Sequence, residues 1–327
     1  MKRRNFIRLL GGAIVTWPRF ARAQQSTPVI GFLHSGSAAG YLDLVSAFRK
    51  GLSEGNFVEG HNVALEFYWG EGNNERLPAL AAELVRRGVS VIVTPGSTPA
   101  ALAAKAATST IPIVFTSAAD PVEIGLVSSL SKPGGNITGV SDIGVELAAK
   151  RLGILHELLP KATQFGVLFN PNNPSLASRY VEETRNASSA LGCQLQTMQA
   201  SSIQGIDDAF SKLLAQRIDA LVVSPDALFL TRRVQLTTLA ARHSLPAMYF
   251  RREFVEAGGL LSYGSNLADQ FRQNGIYAGR ILKGEKPADM PVHLPTKFDF
   301  IINLQTAKTL SIEIPPSLLA RADEVIE

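Results

Sequence analysis

Cysteine is nearly absent from this sequence. Cys193 is the only one in 327 residues, which excludes an intrachain disulfide and any zinc site built from several thiolates. Its position at the start of a strand suggests burial. Long apolar runs are missing too: none reaches the roughly 20 residues that a membrane-spanning helix needs. There is no GxxxxGK[ST] phosphate loop, no HExxH pair and no GxSxG elbow, and the five histidines (His34, His61, His156, His243, His293) are scattered. ATP hydrolysis, zinc proteolysis and elbow-type nucleophilic catalysis therefore lack their carriers. No cofactor, metal or catalytic residue is expected. His34 stands beside Ser35, but adjacent side chains seldom face each other and no third group completes a catalytic set.

Acidic residues are missing from the first 23 positions, where Lys2, Arg3, Arg4, Arg8, Arg19 and Arg22 all fall. A basic start, an apolar stretch from Leu9 to Trp17 and Ala21-Arg22-Ala23 make the three-part pattern of a secretory signal, cleaved near Ala23. The Arg3-Arg4 pair with Phe6 after it favours the twin-arginine route over the general one. The formal charge of +4 then belongs to the leader. Removing those six leaves 26 basic against 28 acidic residues, a net of −2. A chain without basic excess is poorly suited to phosphate backbones, so no nucleic-acid partner is expected. The mature protein is expected in the periplasm, not spanning a membrane, as a monomer.

What remains alternates short apolar strands with amphipathic helices. Strands are expected at 28–33, 62–69, 89–94 and 111–115, and again at 165–170, 194–199, 220–224, 247–250 and 259–263. Helical spacing marks the segments between them, for example Leu42, Val45, Phe48 and Leu52, or the single long stretch Leu228–His243. Strands separated by single helices require right-handed crossovers and a parallel sheet covered on both faces. The fold class is therefore α/β, with two doubly wound, Rossmann-like lobes rather than one sheet of nine strands. Ser131–Asn136 is the turn-rich boundary, and Ile137–Val140 is expected to be the first segment crossing between lobes. Asn136-Ile137-Thr138 fits a glycosylation sequon, but its turn-rich setting explains it without a glycan.

Many segments, in order, resemble one family: PVIGFL, AFRKGLSEGNFVEGHNVALEFYW, RLPALAAELVRRGVSVIV, DPVEIGLVSSLSKPGGNITGV, KRLGILHELLP, NPNNP, YGSNLADQFRQNGIYAGRILKGEKPADMPV and INLQTAKTLSIEIPPSLLARADEVIE. They are similar to the ABC transporter substrate-binding proteins that include TrpX-type tryptophan and tyrosine binders. The resemblance implies the type I periplasmic binding-protein fold, with two lobes, a three-crossing hinge and a ligand between them. The lobes would be 28–139 with about 265–292, and 140–264 with about 293–327. It implies an ABC permease and a separate ATPase as partners. The function expected is capture of a small molecule, an amino acid or related carboxylate with an aromatic one among the candidates, by hinge closure. An exported hydrolase using Ser35 or Ser97 with His243, or a sensing module for a membrane receptor, are the alternatives.

In open parallel sheets, ligands bind beyond the carboxyl ends of the strands. In the first lobe those ends carry Ser35 and Ser37, Trp69 and Glu71, Gly96, Ser97 and Thr98, and Ser117 and Asp120. In the second they carry Asn170 and Asn172, Ser224 and Asp226, Tyr249 and Arg251, and Tyr263 to Asn266. Gly96 permits close backbone approach, and Ser97 and Thr98 lead into a helix whose free N–H groups attract a carboxylate; either hydroxyl could instead only cap that helix. Asp226 could pair with a ligand ammonium or cap the next helix. Asp120 could reach the ligand or shape the turn at Pro121. Trp69, Tyr249 and Tyr263 could stack on a flat ligand or pack internally. The ligand-binding set expected is Ser35, Trp69, Gly96, Ser97, Thr98, Ser117, Asp120, Asn170, Asp226, Tyr249 and Tyr263.

Overall fold

The computed structural model describes residues 27–327; the expected export signal lies outside the described residues. Two sheets form. The first holds β1 (Val29–His34), β2 (Ala64–Trp69), β3 (Val91–Thr94), β4 (Ile113–Ser117) and β5 (Ile137–Ser141), in the order β2-β1-β3-β4-β5, all parallel. The second holds β6 (Gln164–Phe169), β7 (Gln194–Gln199), β8 (Ala220–Val223), β9 (Ala247–Tyr249), β10 (Leu261–Ser265), β11 (Phe298–Asn303) and β12 (Glu324–Ile326), in the order β12-β11-β10-β9-β8-β6-β7. Helices α1 (Leu42–Glu54), α2 (Leu77–Arg86) and α3 (Thr98–Ala107) connect the first sheet. Helices α4 (Ala148–Leu158), α5 (Pro174–Ala190), α6 (Ile203–Ala215), α7 (Ala227–Thr231), α8 (Arg233–Arg242) and α9 (Arg252–Glu256) serve the second. Then come α10 (Leu267–Leu282), α11 (Leu304–Thr309) and α12 (Pro316–Leu319).

The strands are continuous apolar runs because both faces are covered. Alternation still sorts them. Ile30 and Phe32 of β1, with Val91, Val93 and Val114, pack toward α1 and α10, while Leu33, Ile92, Ile113 and Phe115 pack toward α2 and α3. α10 returns to the first sheet and lies against α1. Glycines permit the close approach: a Cβ on Gly51 would meet the Arg272 carbonyl oxygen at 1.9 Å, and one on Gly275 would meet that of Phe48 at 2.2 Å.

The chain passes between the sheets three times: after β5, between β10 and α10, and before β11. The outgoing and final passes are tied together where Ser141 donates its N–H to the His293 carbonyl at 2.9 Å and His293 donates to Gly139 at 2.8 Å. This is the type I periplasmic binding-protein arrangement.

Four expectations change. Ile137–Ser141 is not merely a crossing segment; it completes the first sheet as β5, and the crossing begins at Asp142. The long helix 228–243 is two, broken at Arg232, which caps α7 and precedes α8. β11 runs antiparallel to β10, and β12 was not foreseen at all. Cys193 is half-buried, not buried, with its thiol directed at the carbonyls of Ala162 and Leu191. The Asn136 amide donates to the Thr108 and Ile111 carbonyls, tying the start of β5 to the segment before β4.

Candidate functional site

A narrow cleft lies between the two sheets. From the first sheet it is lined by Ser35 after β1, Gly96–Thr98 after β3 and Thr116 of β4. From the other side come Asn173 before α5, Asp226 after β8 and Arg251 after β9. Every one sits at or just past the carboxyl end of a strand. The apolar walls are Tyr41, Leu176, Leu230, Phe250 and Leu267.

The Gly96–Thr98 loop caps its helix and also lines the cleft. Gly96 takes a left-handed φ of +71° and lies on the wall. Ser97 caps α3: its hydroxyl accepts from the Ala100 N–H at 3.4 Å and donates to the Ser35 hydroxyl at 2.8 Å. The Thr98 hydroxyl accepts from the Ala118 N–H at 3.2 Å and lies 3.1 Å from the Ser117 hydroxyl. Both side chains are thus fixed by their own lobe while still facing the cleft.

Asp226 is likewise a cap and a wall. It accepts from the Leu228 N–H at 2.9 Å, from the Asn170 amide at 2.9 Å and from the Asn173 amide at 3.3 Å. Burial pushes its carboxyl above the usual range, and these neutral donors hold it back in part. Arg251 is treated differently. It is buried and ion-paired with Asp142, which also lines the cleft. Burial works against its charge, but Asp142 outweighs that and raises its pKa. The pair is internally neutral, so Asp226 is the one of the three whose charge has only neutral partners.

Of the eleven expected residues, Ser35, Gly96, Ser97, Thr98 and Asp226 meet at the cleft. Ser117 and Asn170 stand behind them, holding Thr98 and Asp226. Four lie elsewhere. Trp69 packs behind the wall against Phe32, His34 and Tyr41. Asp120 accepts from the Val122 N–H at 2.8 Å, shaping the turn, and borders a separate groove with Glu123, Glu146 and Arg179. Tyr249 is buried with its ring stacked on Phe254, 4.7 Å between centroids. Tyr263 stacks on Phe298. The three aromatic side chains are taken up in packing rather than in lining the cleft.

Tyr41 and Asp142 were missed. Tyr41 directly precedes α1, one position before the apolar spacing begins. Asp142 obeys the strand-end rule, but only once Ile137–Ser141 is read as a strand. The hydrolase alternative gains nothing. The His34 Nδ1 accepts from the Gly36 N–H at 2.8 Å rather than facing Ser35, and His243 caps the far end of α8.

Comparison with known proteins gives a consistent result. The family described as ABC transporter substrate binding protein matches residues 30–326. A tyrosine-binding protein of Clostridioides difficile (strain R20291) is 29% identical over 267 residues, covering 81% of this chain and 76% of that one. A solved domain from Streptococcus pneumonia in complex with L-Trp is 28% identical, with a TM-score of 0.83 over 92% of this chain and 100% of that one. The ligand-free, open structure of a substrate binding protein with adhesive properties from Clostridium difficile is also 28% identical, over 92% and 99%, but its TM-score is 0.64. At equal identity and coverage, the present arrangement of lobes is therefore nearer to the complex than to the open form.

Proposed function

Since the chain belongs to the ABC transporter substrate binding protein family, we propose that the solute it captures is an amino acid, bound between the lobes with its ammonium at Asp226. It acts as the solute-binding component of an ABC transporter. The lobes are read as 28–141 with about 266–292, and 142–265 with about 293–327, the first boundary moving from 139 because β5 completes the first sheet. The relatives named for tyrosine and L-Trp make an aromatic amino acid the first candidate, and the apolar walls around Tyr41 and Phe250 suit such a side chain.

The observation that carries this reading is how the charged side chains of the cleft are partnered. Asp226 is buried among neutral donors, while Arg251 is already matched by Asp142. A ligand ammonium would restore balance, whereas a plain carboxylate would add a second buried negative charge. The ligand carboxylate is assigned to the Ser35 hydroxyl and the start of α3. No chemical step follows. Binding shifts the lobes toward closure by its preference for the closed state, and the closed form is delivered to a permease with its own ATPase. The site of action is read as the periplasm, after removal of the export signal.

Calorimetric titration with L-tyrosine, L-tryptophan and their deaminated acids tests the assignment. The amino acids bind and the acids do not. Asp226→Asn weakens the amino acids by about 2–3 kcal/mol, the scale of hydrogen bonds to charged groups. Equal binding of the deaminated acids would overturn the ammonium site, and silence toward every amino acid would overturn the solute class.

A further inference from the structure

Two buried arginines, a hundred residues apart in sequence, each tie the first interlobe crossing to the second. Arg151 in α4 donates its Nε to the Tyr263 carbonyl at 2.8 Å and its Nη1 to the Gly144 carbonyl at 2.8 Å. Arg251 donates its Nη1 to the Ser265 carbonyl at 2.6 Å and hydroxyl at 2.9 Å, and pairs through Nη2 with Asp142. Asp142 and Gly144 belong to the crossing that leaves β5. Tyr263 and Ser265 belong to β10, which feeds the crossing into α10. The second Asp142 oxygen accepts from the Ser265 hydroxyl and from the Gln270 amide of α10, the latter at 2.6 Å.

The two arginines differ in one respect. Arg251 and Asp142 line the cleft; Arg151 does not. Arg251 is thus a cleft-wall cation whose side-chain hydrogen bonds run to Asp142, Ser265 and Gln270, all on the two crossings or the helix that one of them enters. We propose that Arg251 is a positioning residue that couples occupancy of the cleft to the angle of the hinge, with Asp142 as its counterpart. This rests on the solute-binding reading above. The physical link is solvent. In an open cleft the pair meets water and is weak; with the lobes together it is buried, as here, and stronger. The buried pair holds Asp142 and Ser265 at their closed spacing. That biases the hinge toward closure before the ligand arrives, and the ligand binds the biased cleft without a direct charge contact to Arg251.

The test uses the mature protein, L-tyrosine and L-tryptophan as probes, and four variants: Arg251→Lys, Asp142→Asn, their combination and Arg151→Lys. Arg251→Lys keeps the charge but loses the planar fork that reaches both crossings. Affinity is measured by titration and lobe closure by small-angle X-ray scattering with and without probe. Arg251→Lys and Asp142→Asn each weaken binding roughly tenfold, within the usual span of coupling effects. Both enlarge the radius of gyration of the unliganded protein, and the double variant is no weaker than the single ones. Arg151→Lys lowers the melting temperature but leaves affinity within about twofold, because it does not face the cleft. Loss of affinity in Arg251→Lys with unchanged unliganded scattering would make Arg251 a direct ligand contact and overturn the coupling. Additive losses in the double variant would do the same. If an arginine variant fails to fold, Ser265→Ala removes the hydroxyl between Arg251 and Asp142 with both charges intact, and the same two outcomes decide. If the wild-type protein binds neither probe, the ligand reading fails, while the unliganded scattering still tests the coupling.

Discussion

Asn74 donates its side-chain amide to the carbonyl oxygen of Asn172 at 2.8 Å, across the mouth of the cleft. The contact does not end there. The Asn172 N–H donates to the Asn170 side-chain oxygen at 3.0 Å, and the Asn170 amide donates to Asp226 at 2.9 Å. A latch on one lobe is thereby connected, through two asparagines, to the carboxylate assigned to the ligand. Asn74→Ala removes the latch without touching the cleft wall. It is expected to weaken L-tyrosine or L-tryptophan by about 0.5–1.5 kcal/mol, the net scale of one hydrogen bond. The loss appears as faster dissociation, since the latch forms only after the lobes meet. Stopped-flow dissociation checks this, and an unchanged off-rate would remove Asn74 from closure.

His34 makes stability depend on pH. It is fully buried, its Nε2 has no partner among the described residues, and burial lowers its pKa from 6.5 to about 3. The unfolded chain therefore binds a proton between those values that the folded chain does not. The contribution to stability is complete above about pH 6.5 and is lost as the pH falls toward 3. By pH 4.5 the loss is about 2–3 kcal/mol. Asparagine can keep the acceptor for the Gly36 N–H but cannot titrate. Denaturant unfolding of the wild type and His34→Asn at pH 7 and pH 4.5 should show the gap between them narrowing by that amount. Parallel curves would mean that His34 does not titrate as its burial requires.

Tyr249 supplies a test of the aromatic assignments. Its hydroxyl is buried without a hydrogen-bond partner among the described residues, and burial drives the phenol pKa upward. An unpaired buried hydroxyl is a cost, so Tyr249→Phe is expected to leave amino-acid affinity unchanged and stability equal or about 1 kcal/mol higher. A loss of affinity would return Tyr249 to the site.

The difference between the residues that met at the cleft and those that did not is instructive. Ser35, Gly96–Thr98 and Asp226 were legible because the carboxyl-end rule concerns backbone position, and apolar runs locate strand ends well. Trp69, Tyr249 and Tyr263 were not, because a side chain's direction depends on strand parity and on which helix covers that face. Asp120 was ambiguous in sequence, and its own turn satisfied it. Asp142 was hidden by reading Ile137–Val140 as a linker; a strand that pairs only with a neighbour from the same lobe carries no signal distinguishing it from a crossing. β12 was hidden for a similar reason: Glu324–Ile326 is short and mostly exposed, and only pairing with β11 makes it a strand.

Gly96 allows site geometry to be separated from general strain. Its φ of +71° lies in the left-handed region, and a Cβ there would stand 3.3 Å from Phe271 and 3.7 Å from the His34 Nε2. Gly88, which ends α2, has a similar φ of +64° but meets nothing within 4 Å. Alanine at either position pays the left-handed penalty of about 1–2 kcal/mol. Only at Gly96 must a neighbour also give way, and that neighbour, Phe271, belongs to α10, just beyond the second crossing. Gly96→Ala is therefore expected to lose affinity as well as stability, because the loop carrying Ser97 and Thr98 is displaced against the opposite wall. Gly88→Ala loses stability alone. Melting temperatures and titrations of the two variants side by side decide the matter: equal affinities would show that the Gly96 backbone is not part of the ligand's frame.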